Sequence, residues 1–150
     1  MKGSASGKCK VVLDTEEGEE KVWALSLGGS HYRIQSVPFF AYNISLEDIV
    51  EAHRQGRNLR VRKMIGKSGH RTLRVIFEDE EGLDSENAKE FLTVLERLGC
   101  VYEGFPPMLL AVDVPSEVDI EAVIESCEEA KVEWEYGDPQ LERPVLETNP

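Results

Sequence analysis

Residues 85–99 have the sequence SENAKEFLTVLERLG, and this stretch decides how the second half of the chain is interpreted. Its apolar residues recur at spacings of three and four, which places them on one face of an α-helix. Gly99 follows at the position where a glycine commonly ends a helix. The pattern therefore predicts an amphipathic helix over residues 85–98. Its apolar face consists of Ala88, Phe91, Leu92, Leu95 and Leu98.

Strand-like segments flank this helix on both sides. Residues 72–77 precede it, and residues 100–103, 108–114 and 132–136 follow it. A second helix is predicted before the last strand, with Ser116 and Asp119 as its capping pair. The order βαββαβ is that of a ferredoxin-like unit, in which two helices cover one face of a four-stranded antiparallel sheet. We expect a ferredoxin-like α+β subdomain over residues 69–138. Its predicted core is Leu73, Val75, Phe77, Phe91, Leu95, Leu110, Val112, Ile120, Val123, Ile124 and Trp134.

The first half of the chain has a different pattern, consisting mostly of short strands. Residues 22–27, 31–34, 49–53 and 59–65 alternate with turn signals, of which Gly28-Gly29-Ser30 is the strongest. This favours a small, strongly bent β-sheet or barrel over residues 21–68. Residues 1–20 are expected to be a flexible N-terminal segment, and residues 139–150 a C-terminal tail.

The charges of the chain are divided along the sequence. Residues 54–74 contain eight basic and no acidic residues, whereas residues 75–150 contain 21 acidic and four basic ones. Charges of one sign that share a surface raise the potential there and steer the approach of an oppositely charged partner. The division therefore favours a binding protein that recognises a charged partner by electrostatics.

An acidic stripe on the second predicted helix gives this idea its most concrete form. No lysine or arginine lies among these acids before Lys131. Like charges four residues apart destabilise a helix slightly, so helix stability alone does not favour this pattern. We expect a protein-binding module, such as a small acidic inhibitor or immunity-type protein that occludes a basic toxin or nuclease. Phe105 and Met108 are the expected apolar anchors of that interface. The acidic face comprises Glu117, Glu121, Glu125, Glu128 and Glu129.

The basic segment supports an alternative, which is a module that binds a small anionic ligand or nucleic acid. Cationic side chains around a predicted turn, and the junction at residues 68–74, are suited to contact phosphates. No aromatic residue lies between Arg54 and Arg74, although single-strand binding usually adds stacking rings. Pairing with acids of the same chain is the simpler interpretation of these residues. The candidate anion-binding residues are Arg57, Arg60, Arg62, Lys67, His70 and Arg71.

Catalytic and metal-binding chemistry receive little support from the sequence. The chain has three widely spaced cysteines and three histidines, without the paired spacing of a zinc site. No complete catalytic motif is present, so neither a catalytic residue nor a cofactor is expected. The weakest alternative is an enzyme that uses His70 with a carboxylate such as Asp113. The start of the chain lacks the apolar stretch of a signal peptide and no segment is long enough to span a membrane, so the expected location is the cytoplasm.

Four segments together resemble a known protein family. They are residues 38–45 (PFFAYNIS), 68–75 (SGHRTLRV), 111–115 (AVDVP) and 134–136 (WEY). In these segments the chain is similar to the bacterial family known as domain of unknown function 4265, over about residues 21–137. The resemblance implies one recurring fold and a bacterial origin. It implies no activity and no catalytic residue.

Overall fold

The computed structural model describes residues 7–141, which form two connected β-rich halves. The first half is a closed barrel, in which neighbouring strands are antiparallel except for the closing pair. That pair joins the first and last strands in parallel, with Val12 opposite Arg60. The strands are β1 (Lys8–Thr15), β2 (Gly18–Gly28), β3 (His31–Ile34), β4 (Ile49–Gln55) and β5 (Asn58–Gly66).

The barrel begins earlier than the sequence indicates, because β1 lies within the segment that we expected to be flexible. That expectation is wrong for residues 8–20. β1 pairs with β2 along its whole length, from Lys8 opposite Leu25 to Thr15 opposite Gly18. Val11 and Leu13 supply part of the barrel core and Val12 is also buried, so burial of apolar surface holds this strand in place. The rest of the expected flexible segment, residues 1–6, lies outside the described residues, as do residues 142–150 of the expected tail.

The second half is an antiparallel sheet with two helices, and its elements follow the predicted order. The strands lie in the order β7-β8-β6-β9, so β6 and β8 are central. A short 3₁₀ helix, Gly82–Asp84, precedes the first α-helix. The elements are β6 (Arg71–Ile76), α1 (Glu86–Leu98), β7 (Val101–Phe105), β8 (Leu109–Val114), α2 (Ile120–Ala130) and β9 (Glu133–Asp138). The chain as a whole is therefore a mixed α+β protein. Within residues 7–141, no helix has the length and apolar character needed to cross a membrane.

A single apolar cluster joins both helices to one face of this sheet. Nine of the predicted core residues are buried in it, and Ile120 and Ile124 are partly buried against it. Local signals set the helix ends. Ser85 accepts a hydrogen bond from the Ala88 amide at the start of α1, and Gly99 ends that helix with a φ of 97°. Asp119 alone caps α2, by accepting from the Glu121 amide.

The opposite face of the sheet is partly covered by residues 35–48, a segment between β3 and β4 that we call the connector. Its Asn43 amide donates to the Gly137 carbonyl at 2.8 Å, and its Val37 amide donates to the Glu103 carboxylate at 3.1 Å. The buried Glu20 carboxylate of β2 accepts from the amides of residues 39–41 at 2.6–3.0 Å. The connector is thus fixed to the barrel and to the sheet, and it joins the two halves.

Candidate functional site

A groove lies on the helix-free face of the sheet, where the connector stops covering it. Leu109 on β8 is directly opposite Phe105 on β7 and Ile76 on β6, so the three side chains point to the same face. Leu73 and Val75 on β6 point the other way, into the helix-side core. Ile76 and Leu109 thus form an apolar floor.

The walls of the groove come from the connector and from the β1–β2 turn. Phe39, Phe40 and Tyr42 line it from the connector, and Glu16 and Glu17 line it from the turn. The volume is about 380 Å³, at the lower end of the ~300–1,000 Å³ that ligand sites usually have. The groove therefore combines surfaces from both halves of the protein.

Arg74 lies at the inner end of the groove and is only 3% exposed. Its Nη2 donates to the Ala41 carbonyl, and its Nη1 lies 3.6 Å from Glu135 Oε2. The guanidinium carbon lies 4.9 Å from the centre of the Tyr42 ring, in cation–π geometry. Nε of Arg74 is buried and has no hydrogen-bond partner among residues 7–141. Burial lowers the pKa of Arg74 from its ordinary value, and the charge of Glu135 opposes that shift.

Carboxylates give the groove a negative rim around this one cation. Glu16, Glu17, Glu133 and Glu135 all line it and are all exposed. The Tyr42 hydroxyl donates to the Glu135 carboxylate at 2.9 Å, and burial and this hydrogen bond both raise the pKa of Tyr42. Because four acids face one arginine, the groove favours a ligand that is cationic and partly apolar.

The predicted anchors and acidic residues lie on different faces of the second half. Phe105 is exposed at the groove side, where its ring packs edge-on against Phe39 and Phe40 at centroid distances of 5.1 and 5.4 Å. Met108 is exposed in the turn before β8. Helix α2 packs on the other face of the sheet. One flat partner surface therefore does not contact Phe105 and α2 at the same time.

All five residues of the predicted acidic face are exposed. Four of them lie on α2, whereas Glu117 lies in the turn before it. Glu128 also accepts a hydrogen bond from Trp134 Nε1 at 2.8 Å, so this carboxylate helps to hold β9. The last turn of α2 contains no basic residue, although cations are the favourable residues there.

The predicted anion-binding residues do not form one site. Arg60 makes ion pairs with Asp14 and Glu19 of the barrel. The side chain of Arg71 donates to the carbonyls of Pro115 and Val118 at 2.7 and 2.6 Å. Arg57 and Arg62 are exposed on the barrel.

Lys67 belongs to a buried polar network at the junction of the two halves. Its Nζ contacts Asp48 at 2.7 Å and Asp138 at 2.6 Å, and both carboxylates are buried. Buried Ser45 connects Asp138 to Thr72 through hydrogen bonds of 2.6 and 2.7 Å. Burial acts to lower the pKa of Lys67, but its hydrogen bonds to Asp138 and Asp48 outweigh that effect and raise it.

His70 and Asp113 are in contact, which is the pairing that the sequence suggested as a weak alternative. Nδ1 of His70 lies 2.9 Å from both oxygens of the buried Asp113 carboxylate. Burial raises the pKa of Asp113, although His70 acts in the opposite direction. Burial also raises the pKa of the Cys100 thiol to about 11, so this cysteine stays a thiol at neutral pH. Within the described range, no three metal-ligating side chains are placed to hold an ion together.

Comparison with known proteins assigns the chain to a family. The model of DUF4265, described as a domain of unknown function, matches residues 20–136. The chain belongs to the DUF4265 family. The resemblance that the sequence suggested is thereby confirmed.

A solved structure has the same fold as this DUF4265 protein. It is a crystal structure of a hypothetical protein from Neisseria gonorrhoeae, with 22% sequence identity and a TM-score of 0.69. The match covers 91% of this chain and 96% of the other. Comparison with curated proteins gives no match.

Sequence reasoning missed the central residue of the groove in this DUF4265 protein. Arg74 was grouped with the other basic residues, although it lies between Leu73 and Val75 in a strand whose neighbours are buried. A charged residue within such a strand is a signal, because a buried charge requires partners. The partners themselves carry no local signal. Ala41 lies 33 residues before Arg74.

Proposed function

We propose that this protein is a binding module for a basic protein partner and that helix α2 steers the encounter. The observation that carries the proposal is the composition of the exposed face of α2. Glu121, Glu125, Glu128 and Glu129 are exposed there, and no cation occupies the last turn. A small acidic inhibitor or immunity-type protein that occludes a basic toxin or nuclease is the form of this proposal that fits best.

Helix α1 gives the reference for this argument, because it packs against the same face of the same sheet. It has Glu86 in its first turn and Arg97 in its last, which is the favourable arrangement for the helix dipole. Helix α2 has Glu121 in its first turn and Glu128 and Glu129 in its last turn, and a cation, Lys131, follows only at the C-cap. Because this arrangement lowers helix stability slightly, folding alone does not account for it, and recognition of a cationic partner does.

The anion-binding alternative is less well supported. Four of its six residues contact groups of the same chain: Arg60, Lys67, His70 and Arg71. A phosphate would have to replace these existing partners. The two remaining residues, Arg57 and Arg62, are too few for the proposed site.

The experiment starts from a partner and then changes the charges of one helix at a time. The tagged protein captures partners from its host, mass spectrometry identifies them, and association with the recovered basic protein is measured at two salt concentrations. The variant Glu121→Lys/Glu125→Lys reverses an exposed i, i+4 pair on α2 and leaves Glu128 in place for Trp134. The matched control, Glu86→Lys/Glu90→Lys, reverses an exposed i, i+4 pair on α1.

We expect the α2 variant to slow association about tenfold or more at low salt, and the α1 control to slow it much less. The effect should shrink as the Debye length falls from ~10 Å at 0.1 M to ~3 Å at 1 M salt. Equal effects of the two variants would assign the steering to net charge rather than to α2. Association that depends neither on salt nor on either pair would overturn the proposal.

We also infer that residues 69–138 form a ferredoxin-like unit and that the protein is located in the cytoplasm. The strand order β7-β8-β6-β9, with both helices in one apolar cluster, supports the ferredoxin-like assignment. Cys9, Cys100 and Cys127 form no disulfide within residues 7–141, which fits a reducing compartment. Ferredoxin-like sheets have many functions, so this assignment does not select among them.

A further inference from the structure

The groove has an apolar floor that the chain itself leaves open. Ile76 lies on β6, a central strand of the sheet, and is nevertheless 41% exposed. The connector contacts the neighbouring part of this face through Arg74 and Thr72, by the bonds from Arg74 to Ala41 and from Ser45 to Thr72. It therefore covers the face up to Arg74 and leaves Ile76 and Leu109 accessible.

Arg74 closes the inner end of the groove and is held by groups of the chain itself. Its Nη2 donates to the Ala41 carbonyl, and its Nη1 lies 3.6 Å from Glu135 Oε2. Its Nε has no acceptor within the described part of the chain but is itself buried, so a ligand in the groove does not reach it. The groove therefore offers a ligand its apolar floor and its exposed carboxylates.

The rim determines the charge of the ligand. Glu16, Glu17 and Glu135 all line the groove and are exposed, and Glu135 lies beside Arg74. Charge complementarity favours a lysine or arginine side chain beside these carboxylates, and the exposed surface of Ile76 and the two phenylalanines favours an apolar neighbour. This combination of cation and apolar group is found in a basic peptide segment.

We propose that the groove binds a short extended peptide in which basic and apolar residues alternate. This inference deepens the proposed function and rests on it, because the peptide would be a segment of the basic partner. Helix α2 would then act on the rate of encounter from one face of the sheet. The groove, on the other face, would hold an inserted segment and set the rate of dissociation.

The test uses labelled hexapeptides and the full-length protein, with fluorescence anisotropy as the readout. The probe is Gly-Leu-Lys-Leu-Lys-Gly, and the controls replace either both lysines by glutamate or both leucines by serine. We expect saturable binding of the probe and binding at least about tenfold weaker for each control peptide. Equal binding of the serine control would mean general attraction of cations and would overturn the proposal, as would the absence of binding.

Matched variants locate the binding on the protein. Ile76→Ser removes the exposed floor residue, and Ile65→Ser removes an isoleucine on the barrel that is also 41% exposed. We expect the first variant to weaken probe binding about tenfold and the second to leave it unchanged. Arg74 is not substituted, because it is buried and its loss would disturb the fold. Equal effects of the two isoleucine variants would overturn the groove assignment.

A charge pair separates this proposal from the proposed function. We expect Glu16→Lys/Glu17→Lys to abolish probe binding, whereas Glu121→Lys/Glu125→Lys should leave it nearly unchanged. Suppose that only the α2 variant slows association of the whole partner protein, and that Ile76→Ser changes neither the affinity nor the dissociation rate. The groove proposal then fails and the proposed function stands. Loss of self-association in Ile76→Ser, measured by sedimentation, would assign the groove to a second copy of the chain and would also overturn the proposal.

Discussion

Two groups of carboxylates in this protein have the same chemistry and opposite surroundings. At the junction of the two halves, Asp48 and Asp138 are buried against Lys67. On α2, Glu121 and Glu125 are exposed on a helix whose last turn has no basic residue. The comparison separates the charges that hold the fold together from those that remain accessible to a partner.

The physical basis of this difference is the cost of taking a charge out of water. A buried carboxylate is stable only while its partners are present, so the loss of one partner costs several kcal/mol. An exposed carboxylate keeps its hydration and contributes little to the free energy of unfolding. For that reason the exposed acids can change without loss of the fold, and the junction acids cannot.

The largest effect is expected at the junction. Asp48 accepts from the Ser45 and Ser68 amides at 2.8 and 2.7 Å and from Lys67 at 2.7 Å. Asp48→Ala removes all three interactions, so the free energy of unfolding should fall by about 3–5 kcal/mol in urea titrations. The exposed counterpart, Glu125→Ala, should change it by no more than about 0.5 kcal/mol. Similar losses for the two variants would remove the distinction between the groups.

A second, smaller effect is expected when two arginines of the basic segment, Arg57 and Arg60, are compared. Arg60 contacts Asp14 and Glu19, whereas Arg57 is exposed near the β4–β5 turn. Arg60→Glu places three acids together and should lower the melting temperature more than Arg57→Glu. The difference should narrow in 1 M salt, because screening weakens repulsion between charges near the surface. Equal melting temperatures at low salt would show that the Arg60 pairs do not support the barrel.

The smallest effect concerns Asp113, whose pKa burial raises above its ordinary value of 3.8 although His70 opposes the shift. The folded protein therefore retains a proton at pH values where the unfolded chain has lost it. The resulting stabilisation is complete below pH 3.8 and is lost as pH rises through the folded pKa. Asp113→Asn cannot titrate, so the free energy of unfolding of this variant minus that of the wild type should increase with pH across this window. Urea unfolding at several pH values checks this, and parallel stability curves for the two proteins would contradict it.

The second half of the fold could be predicted well because its signals are local. The apolar residues of α1 recur with the period of the helix, and the observed bounds, Glu86–Leu98, differ from the predicted residues 85–98 by one position. Strand β1 was missed although its main partner, β2, follows it directly in the sequence, and its pair with Arg60 on β5 is the distant one. Its sequence, KCKVVLDT, does not alternate regularly.

The candidate site was less predictable than the fold for the same physical reason. Sequence patterns show the acids of α2, because they lie within a few turns of each other. The groove combines the connector, the β1–β2 turn and three strands, and the sequence separation between Glu16 and Glu135 exceeds 100 residues. Such a site arises only when the two halves are packed together.

The attachment of the connector to Glu20 has a consequence for how this sequence can vary. One carboxylate accepts from three successive main-chain amides, those of Phe39, Phe40 and Ala41. Every residue except proline has such an amide, so the bonds themselves do not restrict which side chains residues 39–41 carry. Glu20, in contrast, provides the one carboxylate whose two oxygens accept from all three. The side chains of the groove's aromatic wall can therefore change to suit new ligands, whereas Glu20 must be retained to hold the connector in place.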